Sequence, residues 1–176
     1  MNNKLKFKFS TQINIIGFIL VMMAGWIDTV GVNLFLTERS SFMSGRGAIL
    51  GYFAYKGNLK AFISILLVII SFIIGACMST KITKKTGLTG GLCFSGILII
   101  IASFCNNYNK ITMATILIPM AMGSQNAATS LTPINRTTHL TGPTTDIGIN
   151  IAERNWNTVI FWILRWIAFP LDRKSV

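Results

Sequence analysis

Nine residues of this 176-residue chain have the types and spacings to hold a small polar ligand: Asp28, Ser44, Gly45, Gln125, Asn126, Thr141, Gly142, Thr145 and Asp146. They bring carboxylates, side-chain amides, hydroxyls and, at the glycines, uncovered backbone N–H groups into otherwise apolar sequence. The densest group lies in RTTHLTGPTTDIGINIA, Arg136 to Ala152. Pro143 suits the first turn of a helix, with Gly142 or Thr141 as its cap. Such a helix start presents free N–H groups and the positive end of the helix dipole, which favours an anionic or strongly polar ligand. From Thr141, the small residues Thr145, Gly148 and Ala152 follow at i+4, i+7 and i+11. Ser44, Ala48, Gly51 and Tyr55 repeat that spacing. A stripe of this kind also suits close packing of two helices, with the hydroxyls bonding a neighbour.

Asp28 sits inside a long apolar run, where a carboxylate costs at least about 2.5 kcal/mol on insertion scales. It is expected to find a partner or line a pathway, unless it lies at the outer interface at the end of a tilted helix. Arg46 and Arg136 are candidate partners for Asp28 or Asp146. Arg165 is expected to snorkel toward the membrane surface, and His139 to serve packing or an interface.

Other chemistry is missing from the pattern. Ser124 and His139 supply residue types for a hydrolase but not the G-x-S-x-G turn, and no H-E-x-x-H or phosphate-cradling loop occurs. No catalytic residue, metal site or cofactor is expected, and the chain is read as a non-enzyme. Cys77, Cys93 and Cys105 have no C-x-x-C spacing and read as small buried apolar residues.

The elements that position these residues follow from composition. The chain is 52% hydrophobic and 12% charged, with mean hydropathy +0.60, whereas soluble domains average about 25% charged. Ile13 to Thr37 holds a single charge, Asp28; Ala61 to Thr80, Thr86 to Asn109 and Ile111 to Asn135 hold none. Each run is long enough to cross about 30 Å of hydrocarbon. The net charge of +11 sits at the ends of these runs rather than on one face. That is the membrane-flank pattern, so nucleic acid is not an expected partner. The basic, then apolar, N-terminal stretch reads as an uncleaved first helix.

Spans are expected at about 13–36, 60–80, 86–106 and 111–132, with a last helix from about 156. Short interrupted or re-entrant segments are expected at 40–55 and 137–152. Lys4, Lys6 and Lys8, with Lys81, Lys84 and Lys85, place the N-terminus and the loop near 81–85 in the cytoplasm.

A repeat underlies the layout. SFMSGRGAILG (41–51) matches THLTGPTTDIG (138–148) at a constant offset of 97. Ser41 pairs with Thr138, Ser44 with Thr141, Gly45 with Gly142, Gly51 with Gly148 and, further on, Phe72 with Phe169. Upstream, MAGWIDT (23–29) parallels MAMGSQN (120–126) after a one-residue slip, setting Gly25 opposite Gly123 and Asp28 opposite Asn126. With an odd number of crossings per unit, the second unit is expected to be inverted. Unit one covers about 13–106 and unit two about 111–169. Phe169 is followed by PLDRKSV instead of another span. The second unit is therefore read as C-terminally shortened, by a frameshift, an early stop or a natural shorter form.

The stretches AGWIDTVG, FMSGRGAILG, FIIGA, AMGSQNAA and RTTHLTGPTTDIG together resemble the YoaK-type family of bacterial multi-pass membrane proteins, which carry a domain of unknown function (DUF1275). The resemblance covers about residues 20–169. It implies about six spans in a bacterial cell membrane and no established activity. The family's first short segment usually reads M-T-G-N, where this chain has Met43-Ser44-Gly45-Arg46.

The expectation is therefore one all-α, polytopic transmembrane bundle over residues 1–176, with about five full spans, two short helices and an inverted internal repeat. Its partners are the lipid bilayer, a polar or anionic small solute and, in an oligomer, further copies of itself. The leading function is a small transporter or permease in the bacterial plasma membrane. The alternative is a non-transporting membrane scaffold or partner subunit.

Overall fold

The computed structural model describes residues 11–34, 41–107 and 111–170, and these contain helices and no strand. The elements are α1 (Thr11–Leu34), α2 (Met43–Tyr55), α3 (Leu59–Asn107), α4 (Ile111–Ser130), α5 (Thr141–Ala152) and α6 (Trp156–Ala168). A helix lies over each expected segment, although among the described residues only two helices have the length and hydropathy of a membrane span, not the expected five. Lys4, Lys6, Lys8, Arg39 and the tail after Pro170 lie outside the described residues.

A straight helix of α3's 49 residues would run about 73 Å, more than twice the thickness of a bilayer's hydrocarbon. It is not straight. Gly87 has φ 76° and ψ −175°, a conformation open essentially to glycine alone. Past it, Gly91 packs against the side chains of Thr83 and Ser79, which a straight helix would hold about 12 and 18 Å away. The chain therefore folds back at Gly87, and α3 is a hairpin of two arms, 59–86 and 88–107. The break was expected within 81–85. The helix instead runs through Lys81, Lys84 and Lys85, all exposed, because lysine is a good helix former and the glycine alone ends it.

Both arms grip α4. A Cβ on Gly75 would collide with the Met120 carbonyl, and one on Gly91 would lie 2.7 Å from the Ala128 methyl. Ser95 Oγ donates to the Ala121 carbonyl at 2.8 Å. Small residues on three surfaces thus bring backbone close to backbone, the packing that membrane helices favour.

The turns after the two short helices are the same object. Gly57 (φ 66°) follows α2, and Arg154 (φ 55°) follows α5. The N–H groups of Lys56, Gly57 and Asn58 donate to the carbonyls of Tyr52, Ala54 and Phe53. Those of Glu153, Arg154 and Asn155 donate to the carbonyls of Ile149, Ile151 and Asn150. Each residue of the second set stands 97 positions after its counterpart. The left-handed residue satisfies the last carbonyls of the short helix and turns the chain into α3 or α6.

A buried cluster joins α1 (Val21, Ala24, Ile27), α4 (Ala114, Ile118, Met122), Ala102 of α3, and Ala168 with Phe169 at the end of α6. Outside it, Ile15, Ile19, Ile63, Leu67, Ile73, Ile97 and Ile100 are exposed, so large aliphatic side chains stand on the outer surface. Two helices are long and apolar enough to cross a membrane, over Thr11–Val30 and Leu59–Cys105, and the second comprises the two arms of α3. Cys77 and Cys93 are exposed and Cys105 is half-buried. They lie on the outer faces of their helices, not in the interior as their apolar surroundings suggested.

Candidate functional site

Asp28 is the first polar centre. It is 1% exposed. Its Oδ1 accepts the Ser41 backbone N–H at 2.9 Å, and its Oδ2 accepts the Ser41 hydroxyl. Ser41 stands just before α2, whose cap residue Phe42 offers no side-chain bond to the helix start. The carboxylate thus ties the entry of the short helix to the C-terminal third of α1. Arg46, one turn into α2, is also buried.

Gln125 is the second centre. Its Nε2 donates to the Leu20 carbonyl of α1 at 3.0 Å and to Thr137 Oγ1 at 3.2 Å. Thr129 Oγ1 lies 3.2 Å from Thr137 Oγ1 and donates to the Gln125 carbonyl at 3.0 Å. An amide has two N–H donors, so one side chain closes both bonds. This centre repeats the first in kind: a polar residue on a long helix holds a hydroxyl residue that precedes a short helix. The alignment set Asn126 opposite Asp28, yet the equivalent tether is made by its neighbour Gln125. Asn126 Oδ1 and Thr138 Oγ1 are buried without a hydrogen-bond partner. Leu20 and Asp28 are eight residues apart on α1, about 12 Å along its axis.

The remaining expected residues lie elsewhere. Ser44, Thr141 and Thr145 are exposed, as are Ala48, Gly51, Tyr55, Gly148 and Ala152, so both small-residue stripes face outward. The start of α5 has no side-chain cap; its N-cap residue is Leu140, not Gly142 or Thr141. Gly45 packs against the Phe42 ring, and Gly142 lies beside the Arg136 guanidinium. Asp146 is half-buried, and its backbone carbonyl accepts a bond from Asn150. Arg136 is exposed. His139, in the connection outside the helices, is held below its ordinary pKa by burial and then by the Arg136 charge.

Arg165 departs furthest from expectation. It is 2% exposed and does not snorkel. One guanidinium nitrogen, Nη2, donates to the Ile134 carbonyl at 3.1 Å, and Nη1 reaches the Phe161 carbonyl at 3.3 Å. The guanidinium carbon lies 3.4 Å from the centre of the Phe161 ring. Room for it comes from Gly17 of α1, where a Cβ would lie 2.9 Å from that carbon. A lone arginine in an apolar run carries no sequence signal of burial, because the gap it fills is 148 positions away (165 against 17). Thr129, Thr137 and Ser41 were missed for a related reason: hydroxyls before a helix read as caps, while here long helices hold them.

Among the described residues no group of three or more histidines, cysteines or carboxylates could hold a metal ion. Comparison with known proteins finds no match among curated proteins and none among solved structures. The family described as a protein of unknown function (DUF1275) matches residues 16–171. Nearly the whole described chain falls within that match, its two polar centres and Arg165 included, and the chain belongs to the DUF1275 family.

Proposed function

We propose that this chain is a small multi-pass permease of the bacterial plasma membrane, N-terminus inside, for a polar or anionic solute, with no enzymatic activity. One observation carries the reading. Hydrogen-bonded polar residues are buried between helices whose outer faces are apolar: Asp28 with Ser41, and Gln125 with Thr129 and Thr137. A carboxylate such as Asp28 is costly at membrane depth and is read by default as part of a functional site, while hydroxyls and amides also serve helix packing. A duplicated, inverted architecture fits this reading. Gly25 of α1 meets the backbone carbonyl of Phe169, while Gly123 of α4 meets that of Phe72. Phe169 stands 97 positions after Phe72, so each half offers its glycine to the other half's phenylalanine. Exchange of that kind is what a twofold relation between repeats produces.

The competing reading is a non-transporting scaffold, favoured by the outward-facing stripes of α2 and α5, which would suit assembly with other helices. Reconstituted liposomes decide between them. Uptake of radiolabelled small carboxylates, phosphates and polyols is measured against empty liposomes. A permease gives saturable uptake of at least one class, reduced tenfold or more in Gln125→Leu. No uptake across the panel, with protein correctly inserted, supports the scaffold.

A further inference from the structure

The turn between α2 and α3 borders an open-sided notch of about 210 Å³, lined by Phe53, Ala54, Gly57, Leu59 and Phe62. Its walls are apolar side chains and the bare backbone of Gly57, where an added Cβ would meet no atom within 4 Å. Lys56, in the same turn, holds its ammonium 5.9 Å from the ring centres of both Tyr52 and Tyr55. Lys60 follows in the first turn of α3, and both lysines are exposed. From Ser41 to Thr145 the sequence has no acidic residue, so no carboxylate from this stretch of chain offsets the two lysines.

The backbone does not require this combination. The turn after α5 makes the same hydrogen bonds around its left-handed residue. At the offset of 97, however, Lys56 is answered by Glu153, Lys60 by Asn157, Phe53 by Asn150 and the open Gly57 by Arg154. The first half joins an apolar wall to two cations. The second half interrupts the wall with an amide and a guanidinium and replaces one cation with an acid.

The notch also lies at a particular level. The charge-free run Ala61 to Thr80 begins immediately after Lys60, so in a bilayer the turn stands where hydrocarbon gives way to headgroups. Tyrosine and lysine suit that level, with apolar bodies toward the hydrocarbon and polar tips toward the phosphates. Basic residues there attract anionic headgroups, and the walls give an acyl chain apolar surface to cover. We infer that the notch seats one anionic phospholipid, with the upper part of an acyl chain against Phe53, Leu59 and Phe62 and the phosphate at Lys56 and Lys60. The inference requires that the chain sit in a membrane, not that it transport. Absence of solute uptake leaves the lipid site standing, and loss of the lipid site leaves the permease reading standing.

The test is thermal unfolding of delipidated full-length protein in neutral detergent. Dioleoyl phosphatidylglycerol or dioleoyl phosphatidylcholine is titrated to saturation at constant ionic strength. Wild type should gain roughly 3–8 °C with phosphatidylglycerol and less than half of that with phosphatidylcholine. Lys56→Glu with Lys60→Asn, the residues of the other half, should bring the two lipids level. Lys56→Gln alone should shrink the preference, and it serves in place of the double variant if that one does not fold. The same change of charge elsewhere, Lys85→Glu with Lys84→Asn, should leave the preference intact. Ala54→Trp, which fills the notch and keeps both lysines, should reduce the gain from either lipid. Three results would each overturn the site: no preference for phosphatidylglycerol in wild type, a preference lost as fully at Lys84 and Lys85 as at Lys56 and Lys60, or a wild-type response from Ala54→Trp.

Discussion

The two halves of the molecule share their turns and differ in their charges. The connection from α2 into α3 and the one from α5 into α6 use the same three backbone hydrogen bonds around one left-handed residue. The tether before each short helix is alike in placement but not in register or chemistry. The first half uses the carboxylate of Asp28 and the second the neutral amide of Gln125. At the matched positions 68 and 165, the first half has valine and the second arginine. What recurs is what the backbone needs to reverse and dock. What differs is ionic, and the fold tolerates either version. The unmatched charges are therefore where a functional specialisation of the halves is to be sought.

The largest test of this comparison concerns the paired backbone contacts. Gly25→Val and Gly123→Val each drive a branched side chain into a carbonyl of a buried helix. Each should lower stability by about 3 kcal/mol in unfolding from mixed micelles followed by circular dichroism. A variant tolerated at one glycine but not at the other would break the equivalence. The tethers come next. Asp28→Ala should cost about 2–3 kcal/mol, since it removes an acceptor of two bonds and strands Ser41, whereas Gln125→Ala should cost about 1–2 kcal/mol. Equal losses would mean that the carboxylate is no stronger an anchor than the amide. The smallest effect is expected at the turns. Gly57→Ala should cost about 1 kcal/mol, because a side chain resists positive φ. Arg154→Gly should gain only about 0.5 kcal/mol, because glycine's relief of strain is offset by a freer unfolded chain.

Much of the frame was legible beforehand. Charge-free runs marked the long helices to within a few residues, and the offset of 97 located the short ones, because both are local or periodic properties. Asp28 and Gln125 were legible as polar residues needing partners because a polar residue inside an apolar run stands out by cost alone, and both are buried and hydrogen-bonded. Which way a helix faces was not legible. The stripe from Thr141 to Ala152 is evenly spaced, but spacing says only that its residues share a face, and neighbours decide whether that face is covered. Ser44 and Thr141 are exposed, which spacing alone does not reveal. Arg165 was misjudged because its burial depends on a glycine at the far end of the chain. The hairpin of α3 was placed a few residues early because three lysines look like a loop, while only Gly87 has the backbone freedom to make one.

The exchanged contacts of Gly25 with Phe169 and of Gly123 with Phe72 also have a mechanical consequence. At each, one main chain rests on another with no flexible side chain between them, so neither can shift along its neighbour without lifting over a peptide group. One such contact joins α1 to Phe169 and the other joins α4 to α3. Each is a place where even one added methyl group would force two main chains apart.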